Sequence, residues 1–398
     1  MEQLAQACEP ASFGKGNETV FDEAYRKAGK MDSELFSPML DPSQTNLIKI
    51  IRTNLLEGTQ GDPAKKTMKL ELYKLNIYGT HVIFIRLYLI PCPCPGKGSF
   101  FKPHVETPRS EKMFGSLVIV FPTPHEGGAL LLRHRGQEWS FDSGQALAAK
   151  GQPMTTSIGY VAFFSDIEHE VAPVTSGHRI TLTYNLYFDN GGPVFANDAV
   201  SEHFVPPPLG NEGAFREAFT ALLESPEFMA SGGALAFGLR HVYQIQGYSL
   251  EHVYDILKGS DAIVYESVRM LGYEPVLYVD YRRSRSRGVI LDKVARFKEV
   301  WAHDDVVDIV RREGGIYVAD GDDNGWVETG AEHGSPEEVL EWVTPVTQFN
   351  GQSAAFPSFY GNEQEMNWVY GNVCLVVRFG KAGARLAYPK HETKKRRT

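Results

Sequence analysis

Two histidines and a glutamate are spaced so that a single metal ion could join them. His104 and Glu106 flank Val105 in the run Lys102-Pro103-His104-Val105-Glu106-Thr107-Pro108-Arg109. On a strand, residues two apart point to the same side. His169 lies far downstream, and Arg179 follows it by ten residues within Gly177-His178-Arg179-Ile180-Thr181. Two imidazoles and one carboxylate on one face of a metal suit Fe(II) and leave positions open for a co-substrate and O2. The fixed donor fork of an arginine suits the far carboxylate of a dicarboxylic co-substrate.

Strands must position these groups. Leu70 to Tyr78 alternates as a half-buried strand does, and Gly115 to Pro122 is a continuous apolar run expected of a strand buried on both faces. Gly127-Gly128 punctuates the chain before Ala129 to Arg133 resumes it, and Tyr160 to Phe164 and Arg179 to Tyr187 read as two more strands. His169 comes just past the apolar run Val161-Ala162-Phe163-Phe164, and Phe100-Phe101 precede His104. Each histidine alone could equally be a satisfied structural one; their combination with Arg179 favours the metal. Arg179 could sit on an exposed strand, but it opens Ile180-Thr181-Leu182-Thr183-Tyr184, whose pattern is buried on one face, and a buried arginine needs an anion. Among the competitors, His125-Glu126, ahead of Gly127-Gly128, reads as a turn between strands, His134 sits at a hairpin end, and His178 must face away from Arg179. Many short strands with Gly and Pro turns argue for a jelly roll.

The 398 residues allow two or three domains, and 42% hydrophobic with 22% charged residues describes an ordinary globular chain. A net charge of −9 gives no electrostatic reason to bind nucleic acid or an anionic membrane. Cys8, Cys92, Cys94 and Cys374 are too few and scattered for a disulfide framework, so they read as reduced thiols. No segment reads as a secretory signal or a membrane span. The expected location is cytoplasmic, with the basic tail Lys394-Lys395-Arg396-Arg397 the one hint of a nuclear address.

Three regions are expected: an N-terminal segment, 1–65, packing on the core; a jelly-roll domain, 66–195; and a mixed α+β region, 196–398. Residues 1–40 look loosely structured. Ser43 is placed as the cap of a helix ending at Gly58. Glu212 to Glu224 is expected to be a helix, Ser249 and Ser260 to cap two more, and Tyr273 to Tyr281 and Trp368 to Phe379 to be strands.

The pattern resembles the prolyl 4-hydroxylase-like group of Fe(II)/2-oxoglutarate-dependent oxygenases, most closely its fungal-type members, over roughly residues 60–190. That group runs in the order His-x-Asp (or Glu), a Gly-Gly strand, a distal His, then Lys or Arg ten residues on; here these are His104, Glu106, Gly127-Gly128, His169 and Arg179. The resemblance implies a double-stranded β-helix core, with Fe(II) held by His104, Glu106 and His169. It further implies 2-oxoglutarate as co-substrate beside O2, and ascorbate as reductant. Three departures stand out. Glu106 replaces the commoner Asp. Phe101 occupies the position, three before the first His, where a tyrosine often bonds 2-oxoglutarate; this leaves Arg179 more of the work, with Thr181 or Tyr78 as helpers. Tyr78 to His104 spans 26 positions where the family uses about nine. The excess falls in an apolar, Pro- and Cys-rich stretch, 80–95, which reads as a retained intron rather than a lid.

The implied activity is oxidation, by hydroxylation, of a C–H bond of a small molecule such as an amino acid or secondary metabolite. A peptidyl prolyl substrate is the alternative. Two other classes stay open: a catalytically inactive jelly-roll binding protein, and a metal-dependent isomerase or hydrolase on a cupin-like barrel, which would need His125 as a further ligand.

Overall fold

A long alternating strand such as Thr67–Gly79 exposes a row of backbone donors and an apolar face, so it needs partners on both edges and a second layer on one side. A computed structural model of the chain shows how these needs are met. It describes residues 2–15, 18–58, 67–79, 98–148, 157–189, 211–245, 247–282, 287–297, 300–301, 306–321, 337–347, 351–360 and 363–386. The stretch 80–95 and the basic tail lie outside the described residues. The chain divides into two compact units, Met1–Leu55 with Ala64–Phe195, and Leu56–Pro63 with Ala196–Thr398.

The first unit is built from two antiparallel sheets. The larger runs β1 (Glu9–Pro10), β5 (Gly29–Asp32), β6 (Thr67–Gly79), β14 (Val174–Asp189), β8 (Met113–Val120) and β12 (Gly159–Phe164), with β9 (His125–Gly127) also paired to β14. The smaller runs β11 (Gln137–Phe141), β10 (Leu130–His134), β13 (Glu168–Val171), β7 (Phe100–His104) and β4 (Arg26–Lys27). A two-stranded ribbon, β2 (Phe13–Lys15) with β3 (Glu18–Val20), stands apart. The core lies between the sheets: Tyr78, Phe163 and Val174 from the larger meet Phe101, Leu130 and Val171 from the smaller. Burial of this kind is the dominant favourable term in folding.

The N-terminal forty residues are not loose: β1 and β5 extend the larger sheet and β4 edges the smaller. Strands of two to four residues carry too few alternations to be read from sequence. Ser43 caps no helix; it lies in a 3-10 turn, Pro42–Gln44, whose cap is Asp41, and the helix that follows is Asn46–Leu55. His125 and Glu126 do not form a turn. They are in β9, and the turn belongs to Gly127 and Gly128, at φ of 70° and 72°.

The second unit holds a mixed sheet whose pairing closes on itself. β15 (Gly233–Gly238), β20 (Glu338–Thr344), β19 (Ile316–Asp320), β17 (Arg287–Leu291), β16 (Val276–Arg282) and β22 (Glu363–Phe379) form a ring, because β22 also pairs with β15. β21 (Gly351–Tyr360) and β18 (Val300–Trp301) continue from β22. Small and β-branched residues such as Ala234, Ala236, Ile290, Val318 and Val376 make its core. The helices include Asn211–Glu224, Glu251–Ile256 and Gly259–Met270. Neither serine takes the cap position: Ser249 Oγ accepts from Glu251 N at 3.2 Å, but the residue before that helix is Leu250, and Ser260 lies inside its helix, which begins beyond Lys258. Among the described residues, no helix is long and apolar enough to cross a membrane.

Candidate metal centre and its cavity

Adjacent strands of the smaller sheet bring the two distant histidines together. His104 on β7 and His169 on β13 are paired residues across the ladder, so their side chains share a face. Their rings are 4.1 Å apart, centre to centre. Glu106 is not on that strand: β7 ends at His104, and the carboxylate comes from the loop that leads to Pro108, a residue that cannot continue a ladder. It still reaches the site, with Oε1 3.7 Å from His169 Nε2. One ligand atom from each of the three lies within 4.8 Å of the others.

Both rings are fixed in a ligating orientation. His104 Nδ1 is 2.8 Å from the Lys102 carbonyl and His169 Nδ1 is 3.1 Å from that of Ile167. A ring nitrogen facing a carbonyl carries the proton, which leaves Nε2 a bare lone pair. His104 also stacks on Phe101 at 3.5 Å, and His169 lies 4.7 Å from Phe163. Burial, followed by the neighbouring His169, pulls His104 down to about 3, so at neutral pH it offers a neutral imidazole. Phe101, unable to donate a hydrogen bond, serves as the platform for this imidazole.

Arg179 is 1% exposed, and its Nε and Nη2 have no hydrogen-bond partner among the described residues. Burial lowers its affinity for the proton, and the phenol of Tyr78 opposes that. Tyr78 is its partner across β6 and β14, with the guanidinium 5.7 Å from the ring centre. Thr181, two residues on and buried, shares the face. Gly128 makes room for the arginine: a Cβ there would stand 2.9 Å from Arg179 Cδ and 2.7 Å from Val174 Cγ2. A buried guanidinium with open donors and no carboxylate is an incomplete ion pair.

One cavity of about 410 Å³ is lined by His104, Glu106, His169, Arg179, Thr181 and Tyr78 together. The donor set suits a divalent metal that accepts two imidazoles and one carboxylate, and the open arginine suits a dicarboxylate beside it. The other described histidines of this unit are otherwise engaged. His125 bonds the Thr123 carbonyl at 2.7 Å and Ser143 Oγ at 2.9 Å, which occupies both its nitrogens. His134 meets Arg135 Nε at 3.1 Å. His178 packs over Gly79, away from Arg179.

Sequence reasoning missed several polar residues of the cavity, Lys74 and Arg26 among them. Lys74, on the same face of β6 as Asn76 and Tyr78, was visible as a polar residue in an alternating strand. Burial, then the nearby Arg26, pull its ammonium down to about 7, while Glu106 pulls the other way. Arg26 is 4% exposed and lies 4.3 Å over the ring of Phe101. It sits on a two-residue strand that left no periodic signal.

Comparison with known proteins follows this geometry. No curated protein matches the chain. Similar solved structures include a Pseudomonas putida prolyl-4-hydroxylase, 15% identical over 48% of this chain and 82% of that one, with a TM-score of 0.28. A 2OG-Fe(II) oxygenase family oxidoreductase from Burkholderia pseudomallei is 17% identical over 48% and 79%, at 0.25. A Trichoplax adhaerens prolyl hydroxylase, solved with a hypoxia inducible factor peptide fragment, is 16% identical over 47% and 74%, at 0.28. Residues 87–187, which carry His104, Glu106, His169 and Arg179, match the family model of the 2OG-Fe(II) oxygenase superfamily.

Proposed function

We propose that this protein is an Fe(II)- and 2-oxoglutarate-dependent oxygenase that hydroxylates a C–H bond of a small molecule. We read the two sheets of its first unit as a double-stranded β-helix. One observation carries the reading: Arg179, buried with open donors, faces the same cavity as His104, Glu106 and His169. In this reading the three residues hold Fe(II), and Arg179 closes its ion pair on the far carboxylate of 2-oxoglutarate. Thr181 and Tyr78 add hydroxyl donors on that face. Bound iron and 2-oxoglutarate supply the oxidising power: O2 gives one oxygen to the substrate and one to succinate, with loss of CO2. The chain's own work is ligation, orientation and exclusion of water. Lys102 and Ile167 carbonyls hold the imidazoles; Phe101 and Phe163 wall them; Glu106 supplies the negative charge that a dication needs. A carboxylate at this position leaves no place for a halide, which favours hydroxylation over halogenation.

The test is anaerobic titration with Fe(II) and then 2-oxoglutarate, following the visible charge-transfer band of the iron–oxo-acid chelate. The band is expected in the wild type, lost in His169→Ala and weakened in Arg179→Ala. Its absence from the wild type would overturn the reading and make the protein a non-catalytic binding module.

A further inference from the structure

The charge of the cavity is not exhausted by the metal and 2-oxoglutarate. Its lining contains five cationic side chains, Arg26, Lys30, Lys74, Arg109 and Arg179, against two carboxylates, Asp32 and Glu106. Basic groups thus outnumber acidic ones by three in a chain whose net charge is −9, so the bias is local and not a reflection of composition. Each carboxylate already has an assignment. Asp32 is bound to Lys30 Nζ at 2.5 Å, and Glu106 belongs to the metal centre. On the cationic side, Arg179 is taken by the co-substrate. Arg26 and Arg109 make no ion pair among the described residues, and Lys74 makes none either, although Glu106 acts on its ammonium and Asp32 is its partner across β5 and β6.

Aromatic rings and neutral polar groups hold these three in place. Lys74 Nζ lies 3.8 Å from the ring centre of Tyr73, and the Arg109 guanidinium lies 4.0 Å from the same ring. Arg26 donates to the Ser12 carbonyl at 2.7 Å and to Asn76 Oδ1 at 2.8 Å. Asn76 is fixed in turn, its amide donating to Thr183 Oγ1 at 3.2 Å. Lys74 is paired with Thr183 across β6 and β14, two rungs beyond the pair Asn76 and Thr181 and four beyond Tyr78 and Arg179. Four residues of strand span roughly 13 Å, so this cluster is a separate site from Arg179 and not a second hand on the same carboxylate. Preorganised basic groups without an ion pair in a concave site are the usual means of fixing an anion.

We propose that Lys74, with Arg109 and Arg26, forms a second anion site in this cavity that receives a carboxylate of the primary substrate. The inference rests on the oxygenase reading for the word substrate, and it narrows that substrate to a small carboxylic acid. A divalent ion on the His104, Glu106 and His169 set would add to the positive excess. The co-substrate carries two carboxylates, so room for a further anion remains.

The test needs no turnover. Zn(II)-loaded protein is saturated with 2-oxoglutarate, and saturation-transfer NMR follows acetate and, separately, its uncharged counterpart acetamide. Transfer is expected to 2-oxoglutarate and to the acetate methyl, with none to acetamide. Lys74→Met should weaken acetate binding at least tenfold and Arg109→Met several-fold, with circular dichroism as the check on folding. Arg109 is exposed, so its variant keeps the test open if Lys74→Met fails to fold. Arg179→Met should lose 2-oxoglutarate and keep acetate. Absence of acetate transfer beside bound 2-oxoglutarate, equal transfer to acetamide, or indifference to Lys74→Met and Arg109→Met would overturn the second site. Loss of the 2-oxoglutarate signal alone would instead count against the oxygenase reading and leave the anion site standing.

Discussion

Replacing Arg179 by methionine should stabilise the protein when no ligand is present. The side chain is 1% exposed, and two of its donors, Nε and Nη2, are buried without partners among the described residues. Each buried donor left unmade costs about 1–3 kcal/mol, and an uncompensated charge adds to that. Methionine keeps the unbranched stem that packs beside Gly128 and removes the guanidinium, so little is lost in packing. The expected gain is about 2 kcal/mol, or roughly 4–8 °C in the melting of a unit this size. Ligand should act in the opposite direction. Excess 2-oxoglutarate at about 100 times its Kd adds about 2.7 kcal/mol to the wild type and nothing to the variant, so the order of stabilities narrows or reverses on addition. Differential scanning calorimetry with and without 2-oxoglutarate, metal-free and with Zn(II), reads both effects. A ligand-free variant that melts below the wild type would refute the argument that Arg179 is held in an unpaired state. A variant that keeps the 2-oxoglutarate shift would refute its role as the carboxylate partner.

The other predictions concern the residues that shape the site and one group outside it. Gly128→Ala forces a side chain onto a backbone at φ 72°, into contact with Val174 Cγ2 and Arg179 Cδ. It should cost about 2–4 kcal/mol in urea unfolding and weaken 2-oxoglutarate binding measured by calorimetry. His169→Ala should abolish stoichiometric Mn(II) binding in a calorimetric titration, while His125→Ala should leave it within a factor of two, since both His125 nitrogens serve protein groups. In the second unit, burial raises the Asp280 carboxyl to about 6 from 3.8, against the pull of Arg282. The folded state therefore holds this proton more tightly than the unfolded one. Its stabilising contribution is complete below about pH 4 and is lost as pH rises through 6, a change of about 3 kcal/mol. Chemical denaturation between pH 4 and 7 should show this slope in the wild type and a flatter one in Asp280→Asn.

Long strands were legible in the sequence and short ones were not. Residues Leu70 to Tyr78 and Gly115 to Pro122 carry enough alternation or apolar continuity to announce themselves; the first fall in β6, and the second in β8 as far as its end at Val120. β1, β4 and β5, at two to four residues, exist because β6 and β7 have free edges, which is a property of the sheet and not of the local sequence. The closed ring of the second unit was invisible for a related reason: closure depends on β22 pairing with both β15 and β16, and no local pattern states a strand's second partner. Helix caps failed where a serine stood near a helix but a neighbour did the work, as with Asp41 beside Ser43.

At the site, identity was easier to read than geometry. The spacing of His104, Glu106, His169 and Arg179 drew attention to four residues that do share a cavity, but the reason given for the first two was incomplete. They do not lie on one strand face; the strand stops at His104, and a loop returns Glu106 toward His169. That difference bears on the unusual carboxylate. On a rigid strand, a glutamate in place of an aspartate would overshoot by a methylene, about 1.5 Å, far beyond the tolerance of about 0.2 Å for a metal–ligand bond. On a loop, the backbone can sit that much farther back while the oxygen stays where the imidazoles need it. In the oxygenase reading the early end of β7 is what lets the longer side chain bring its oxygen beside His169, so Glu106→Asp should withdraw the carboxylate and weaken Mn(II) binding in a calorimetric titration.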